Sequence, residues 1–155
     1  MATPTLTSRF FDDVEIGERF DVGSADFIES EIIEFASKYD PQPMHMDPVW
    51  AATGPFQGLI ASGWQTIGLT MRQIIQAKMF GSTMVLGLGV EDLRWPVVSR
   101  PGDRITVSVE VASKTPSKSK PDFGVIKTHV TATNQKGEIA LSMTSILWVP
   151  RKPHR

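Results

Sequence analysis

The sequence predicts an α+β protein in which one long helix packs against an antiparallel sheet of about five or six strands. Three observations lead there. Apolar residues at helical spacing are confined to the first half of the chain. After Gly81 the apolar period changes to two. The later strands are separated by polar turns and not by helical patterns, so the sheet is not built from alternating βαβ units.

The first element is a short helix that Ser30 is placed to cap, with Glu31 and Glu34 near its positive end. Ile32, Ile33, Phe35, Ala36 and Tyr39 fall at helical spacing, and Pro41 ends the run. Asp40 is therefore expected just past a helix end, in extended backbone. A longer helix is predicted from about Ser62 to Met79, where Trp64, Ile67, Met71, Ile74, Ile75 and Met79 recur at spacings of three and four. Gly63 and Gly68 lie inside it, each at a cost of roughly 1 kcal/mol against alanine, which calls for a packing or ligand reason.

Met84, Leu86, Leu88 and Val90 then alternate, and Leu93 and Trp95 continue in the opposite phase, which predicts a bulge near Glu91-Asp92. Gly87-Leu88-Gly89-Val90-Glu91-Asp92 lacks the third glycine and the following helix of a dinucleotide fingerprint. Pro101-Gly102-Asp103 is a turn, followed by a half-buried strand carrying Ile105, Val107, Val109 and Val111. Two more strands, Val125 to Thr133 and Ile139 to Val149, are joined by the turn Asn134-Gln135-Lys136-Gly137. The polar tract Ser113 to Asp122 reads as a loop, and its Lys114, Lys118 and Lys120 are candidates to meet a phosphate as point charges.

The bulk properties narrow the function. The chain has 155 residues, 16 Lys+Arg against 17 Asp+Glu, and no cysteine. One domain is expected, with loosely held tails at 1–8 and 150–155. The balanced charge argues against a nucleic-acid partner. The missing cysteine removes disulfides, thiolate metal sites and cysteine nucleophiles. Met1 to Thr5 show no basic segment leading into an apolar stretch, and no window approaches roughly 18 uninterrupted apolar residues. A cytoplasmic protein with no membrane partner is expected.

Of the histidines His45, His129 and His154, the last lies in the tail and His129 on the polar phase of a strand. His45 belongs to Tyr39-Asp40-Pro41-Gln42-Pro43-Met44-His45-Met46-Asp47-Pro48, where it follows Asp40 by five residues in a proline-stiffened stretch. A carboxylate and an imidazole held rigidly together are what acid–base work on one water requires. A purely structural proline-rich loop would look the same. His45 and Asp47 alone make a poor metal ligand set. Downstream, Gly54-Pro55-Phe56-Gln57-Gly58-Leu59-Ile60-Ala61-Ser62-Gly63-Trp64 leads into the long helix. Gly63 at its start either lets the helix pack closely on the sheet or lets a ligand oxygen reach a free backbone N–H.

Asp40-Pro41-Gln42-Pro43-Met44-His45, then Ala51, then Ile60-Ala61-Ser62-Gly63 resemble the MaoC-like dehydratases and R-specific enoyl-CoA hydratases. So do Phe10 to Gly17 and Leu93-Arg94-Trp95-Pro96-Val97 with Pro101-Gly102-Asp103. The resemblance runs over residues 9–149, taken as a single domain. It implies a hot-dog fold, a long central helix wrapped by a curved antiparallel sheet, and a homodimer or higher oligomer. It implies reversible hydration of a trans-2-enoyl-CoA to an (R)-3-hydroxyacyl-CoA. Asp40 and His45 would be catalytic and the Gly63 N–H the oxyanion donor. Ser62, Trp64, Met44 and Phe56 would bear on substrate choice. No cofactor is implied, since coenzyme A is part of the substrate. Gln42 departs from the family's asparagine, and Ser62 stands where close hydratases often carry histidine. A hot-dog thioesterase using Asp40 as base, or an acyl-CoA-binding protein without turnover, would share these residues.

Overall fold

The computed structural model describes residues 7–153. A 3₁₀ turn at Phe11–Asp13 leads to β1 (Arg19–Asp26) and α1 (Glu29–Tyr39). Two short helices follow, α2 (Pro43–Met46) and α3 (Pro48–Thr53), and then the long helix α4 (Gly63–Ala77). The second half is β2 (Leu86–Arg94), β3 (Arg104–Pro116), β4 (Phe123–Thr133) and β5 (Ile139–Pro150). All five strands form one antiparallel sheet in the order β1-β3-β4-β5-β2. The helix lies against β1, β3 and β5.

The two-residue period builds the face that α4 covers. Ile105, Val107, Val109 and Val111 of β3, Ile126 and Val130 of β4, and Leu141 and Val149 of β5 are all buried. One cluster joins the middle of the sheet to Phe27, Ile32 and Leu69. A second gathers Phe11, Val14, Val111, Ile126 and Val149 at the far end. There the Phe11 ring lies directly on Gly124, where a Cβ would collide with it. The bulge expected near Glu91-Asp92 is present: register shifts between Glu91 and Arg94, and Asp92 has φ 51°.

β1 was not singled out by its sequence, because a bulge interrupts its alternation. Register shifts between Asp21 and Gly23, and Gly23 has φ 140°. α1 starts earlier than expected. Ile28 is its N-cap with no side-chain bond, and Ser30 sits inside the first turn, so Ser30 caps nothing. The tract Ser113 to Asp122 is only partly a loop, since β3 pairs with β4 as far as Pro116 opposite Gly124.

The apolar stripe of α4 does not form its buried face. Trp64 is 57% and Ile75 66% exposed, whereas Thr66, Leu69, Thr70 and Gln73 are buried. Ile67, Ile74 and Met79 are only partly buried against the core. The sheet packs on the small, mixed face of the helix, which allows close approach, and the wide apolar face is turned outward. Nothing in the structure explains Gly68, whose Cβ position is open.

The chain end is pinned where a loose tail was expected. Arg151 bonds the Asp12 carboxylate at 2.7 Å, and Lys152 Nζ reaches Asp13 at 3.0 Å. His154 and residues 1–6 lie outside the described residues. Lys114 is also committed: its ammonium donates to the carbonyls of Phe11 and Val14 at 2.8 and 2.7 Å, over the Phe11 ring. Of the three loop lysines, Lys118 and Lys120 remain exposed. No helix among the described residues is long and apolar enough to cross a membrane.

Candidate active site

Asp40 and His45 are brought together by three turns of backbone that the prolines delimit. Asp40 is the C-cap of α1 with φ −152° and ψ 68°, out of the α region that Pro41 disfavours but not in the extended backbone expected for it. Pro43 then occupies the first position of α2, where its missing N–H costs nothing. His45 therefore stands on a helical turn and not in an extended loop. Asp47 ends that turn and caps α3, accepting from the Val49 and Trp50 N–H groups at 3.0 Å each. Its carboxylate is engaged in capping. Among the described residues no group of three or more possible metal ligands is assembled.

His45 is buried, and its Nδ1 lies 2.7 Å from the Ile60 carbonyl. A carbonyl only accepts, so Nδ1 carries a hydrogen and a neutral ring presents a lone pair at Nε2. That Nε2 is 3.3 Å from Asp40 Oδ2. The carboxylate is held from two other sides. Gln42 Nε2 donates to Oδ1 at 2.7 Å, and the Ser62 hydroxyl donates to Oδ2 at 2.7 Å. The longer side chain that replaces asparagine here thus reaches back and grips Asp40. Gln42 first, then Ser62, and the positive charge of His45 when its ring is protonated, hold the Asp40 carboxyl below its ordinary range, against the opposing pull of burial.

Ser62 joins this pair to α4. It is fully buried and is the N-cap, its Oγ accepting from the Trp64 N–H at 3.3 Å. Its carbonyl takes the N–H groups of Gln65 and Thr66. Among the described residues the Gly63 N–H meets no acceptor. Gly63 and His45 both line a cavity of about 150 Å³. Asp40 is not part of that wall but lies against His45.

Gly63 answers both readings of its position. A Cβ there would stand 2.5 Å from the Trp95 indole, so close packing also requires the glycine. The packing partner is the segment after β2. The Trp64 and Trp95 rings meet edge to face, with centroids 5.3 Å apart and an interplanar angle of 75°.

The expected residues do not all converge. Asp40, His45, Ser62 and Gly63 do. Ser62 is enclosed and bonds Asp40, which makes it a positioning residue here. Trp64 is largely exposed and touches the cavity only through Trp95. Met44 and Phe56 are absent from the wall. The Met44 carbonyl accepts from the Ile60 N–H at 3.1 Å, and the Phe56 carbonyl from Arg100 at 2.7 Å. Both contribute backbone. Thr66 and Ala140 line the cavity and had no local signal, because long-range packing brings them there; Trp95, in a stretch that resembles the family, also lines it but was not assigned to the site. His129 sits on the exposed face of β4, 3.0 Å from Thr144 Oγ1.

Comparison with known proteins bears on the family and the fold. Residues 8–134 match the model of the MaoC like domain. The uncharacterized protein YdeM of Bacillus subtilis (strain 168) is 30% identical over 125 residues, 81% of this chain and 87% of its own. The 3-hydroxybutyryl-CoA dehydratase of Methylorubrum extorquens is 28% identical over 151 residues, 96% and 89% of the two chains. The crystal structure of the MaoC-like dehydratase from Rhodospirillum rubrum superposes with TM-score 0.83 at 37% identity, over 94% of this chain and 99% of that one. The R-hydratase PhaJ1 from Pseudomonas aeruginosa does so with TM-score 0.74 at 25% identity, over 94% and 88%. A helix held in a curved antiparallel sheet, an Asp–His pair at its N-terminus and a matching family model lead to one conclusion: the chain belongs to the MaoC-like dehydratase and hydratase family and has its hot-dog fold.

Proposed function

We propose that this protein hydrates trans-2-enoyl-CoA thioesters reversibly to (R)-3-hydroxyacyl-CoA thioesters. One observation carries the reading. His45 Nε2 and Asp40 Oδ2 lie 3.3 Å apart, and His45 shares the wall of one cavity with Gly63, the first residue of α4. At that distance the two atoms can share a single proton, so the pair can take a proton from a water in the cavity and later give it back.

The proposed reaction uses these groups as follows. The water oxygen bonds to C3 of the enoyl group while one of its protons passes to the Asp40–His45 pair. The C2–C3 π electrons move toward the thioester, and the charge developing on its oxygen is met by the Gly63 N–H at the positive end of α4. The pair returns one proton to C2, so one water is added in all. Dehydration is the same path reversed. The R hand follows the family resemblance.

A homodimer completes the reading. β2 is an edge strand whose Leu86, Leu88 and Val90 are 56, 53 and 49% exposed, and the outward face of α4 adds Met71 and Ile75. An apolar edge strand beside an apolar helix face is a surface that a second copy can cover.

The test is hydration of crotonyl-CoA by the purified protein. Asp40→Asn and His45→Ala are each expected to lose about 10²–10⁴-fold in rate. Release of free thiol from acyl-CoA would instead indicate a thioesterase, and undiminished hydration by both variants would end the proposal.

A further inference from the structure

We propose that Trp95 is the specificity-determining wall of this site and restricts it to short enoyl thioesters of about four carbons; the inference rests on the hydratase reading above. The cavity beside His45 and Gly63 is mostly apolar, walled by Ile60, Val97, Val98 and Ala140, with Thr66 and Ser99 as its polar members. An acyl tail extending from a C3 at His45 can enter this space. Its volume is about 150 Å³. An apolar cavity of about 150 Å³ accommodates a benzene-sized guest of six heavy atoms. Four acyl carbons, the thioester oxygen and the attacking water already reach that number.

Trp95 is the largest side chain in the wall, and it is held there by three independent features. Pro96 restricts its backbone to extended conformations. The bulge at Asp92 re-aims the end of β2 that carries it. Its indole is seated against the Cα of Gly63 and braced edge-on by Trp64. The remaining wall residues are no larger than isoleucine, so shortening Trp95 is the single change that opens the most room. Being 37% exposed, Trp95 can be shortened toward solvent without emptying the core.

Each methylene that a pocket accepts or refuses changes specificity by roughly 10- to 200-fold. Wild-type protein is therefore expected to prefer crotonyl-CoA over trans-2-octenoyl-CoA by at least about 100-fold in kcat/KM. Trp95→Ala should narrow that preference by at least about 10-fold, with Trp95→Phe between the two. Calorimetry with the saturated butyryl-CoA and octanoyl-CoA reads the same wall without turnover, and Trp95→Ala should bind octanoyl-CoA more tightly than wild type does. A chain-length profile unchanged in Trp95→Ala, or lowered equally for both substrates, overturns the assignment. Equal wild-type preference for the two lengths overturns it as well. If no form hydrates any enoyl-CoA but the binding preference shifts as stated, the wall stands and the hydration reading falls.

Discussion

Gln42 bears on the site in a way its position between two prolines does not reveal. Its amide takes one oxygen of Asp40, which leaves the other for Ser62 and the space beside His45 Nε2. It is also the main cause of the lowered Asp40 carboxyl. Gln42→Ala removes a donor to the charged form, so the Asp40 titration should move up toward the ordinary carboxylate range. Carbon-detected NMR of the Asp40 carboxyl measures this directly, and an unmoved midpoint would show that Gln42 does not hold it. At this scale the candidate pair was legible, because Asp40 and His45 stand in a recognisable spacing. Their hydrogen-bond partners were not, since the Ile60 carbonyl and Ser62 reach the pair across 15 and 22 residues of chain.

Short helices, not an irregular loop, aim the histidine. Asp47 both ends α2 and caps α3, so the turn carrying His45 is fixed from each side. Asp47→Ala should cost about 1 kcal/mol of stability, as loss of a helix N-cap typically does. Chemical denaturation reads that loss, and a change within error would mean that the cap contributes nothing. β4, the alternating part of β3 from Ile105 to Val111, the span of β5 and the extent of α4 were readable from sequence. β1 was not, because the bulge at Gly23 breaks its alternation. The orientation of α4 was misread for a related reason. A sequence shows that an apolar stripe exists but not whether it is covered by the same chain or by another.

The whole molecule carries that exposed stripe on one side and a closed ionic clasp on another. If a second copy covers β2 and the outer face of α4, a double substitution Leu86→Lys, Leu88→Lys should convert a dimer to a monomer. Sedimentation equilibrium is the measurement, and an unchanged mass would place the interface elsewhere.

The clasp joins the two ends of the fold. The Arg151 guanidinium and the Lys152 N–H hold the Asp12 carboxyl down to about 2, from an ordinary value of 3.8. A group lowered on folding stabilises fully above its unfolded value, and that contribution is lost as pH falls through its folded value. Wild type should therefore exceed Arg151→Ala in thermal stability near neutral pH, with the gap closing between about pH 4 and pH 2. A gap independent of pH would assign the effect to packing on Phe11, over which the Arg151 guanidinium also lies.

The most direct test of the Asp40–His45 chemistry is the rate of crotonyl-CoA hydration, followed by loss of the enoyl-thioester absorbance, for wild type and Asp40→Asn side by side. Wild type should form 3-hydroxybutyryl-CoA, and Asp40→Asn, still folded, should be slower by about 10²–10⁴-fold. Equal rates for the two proteins, or no hydration by either, would contradict it.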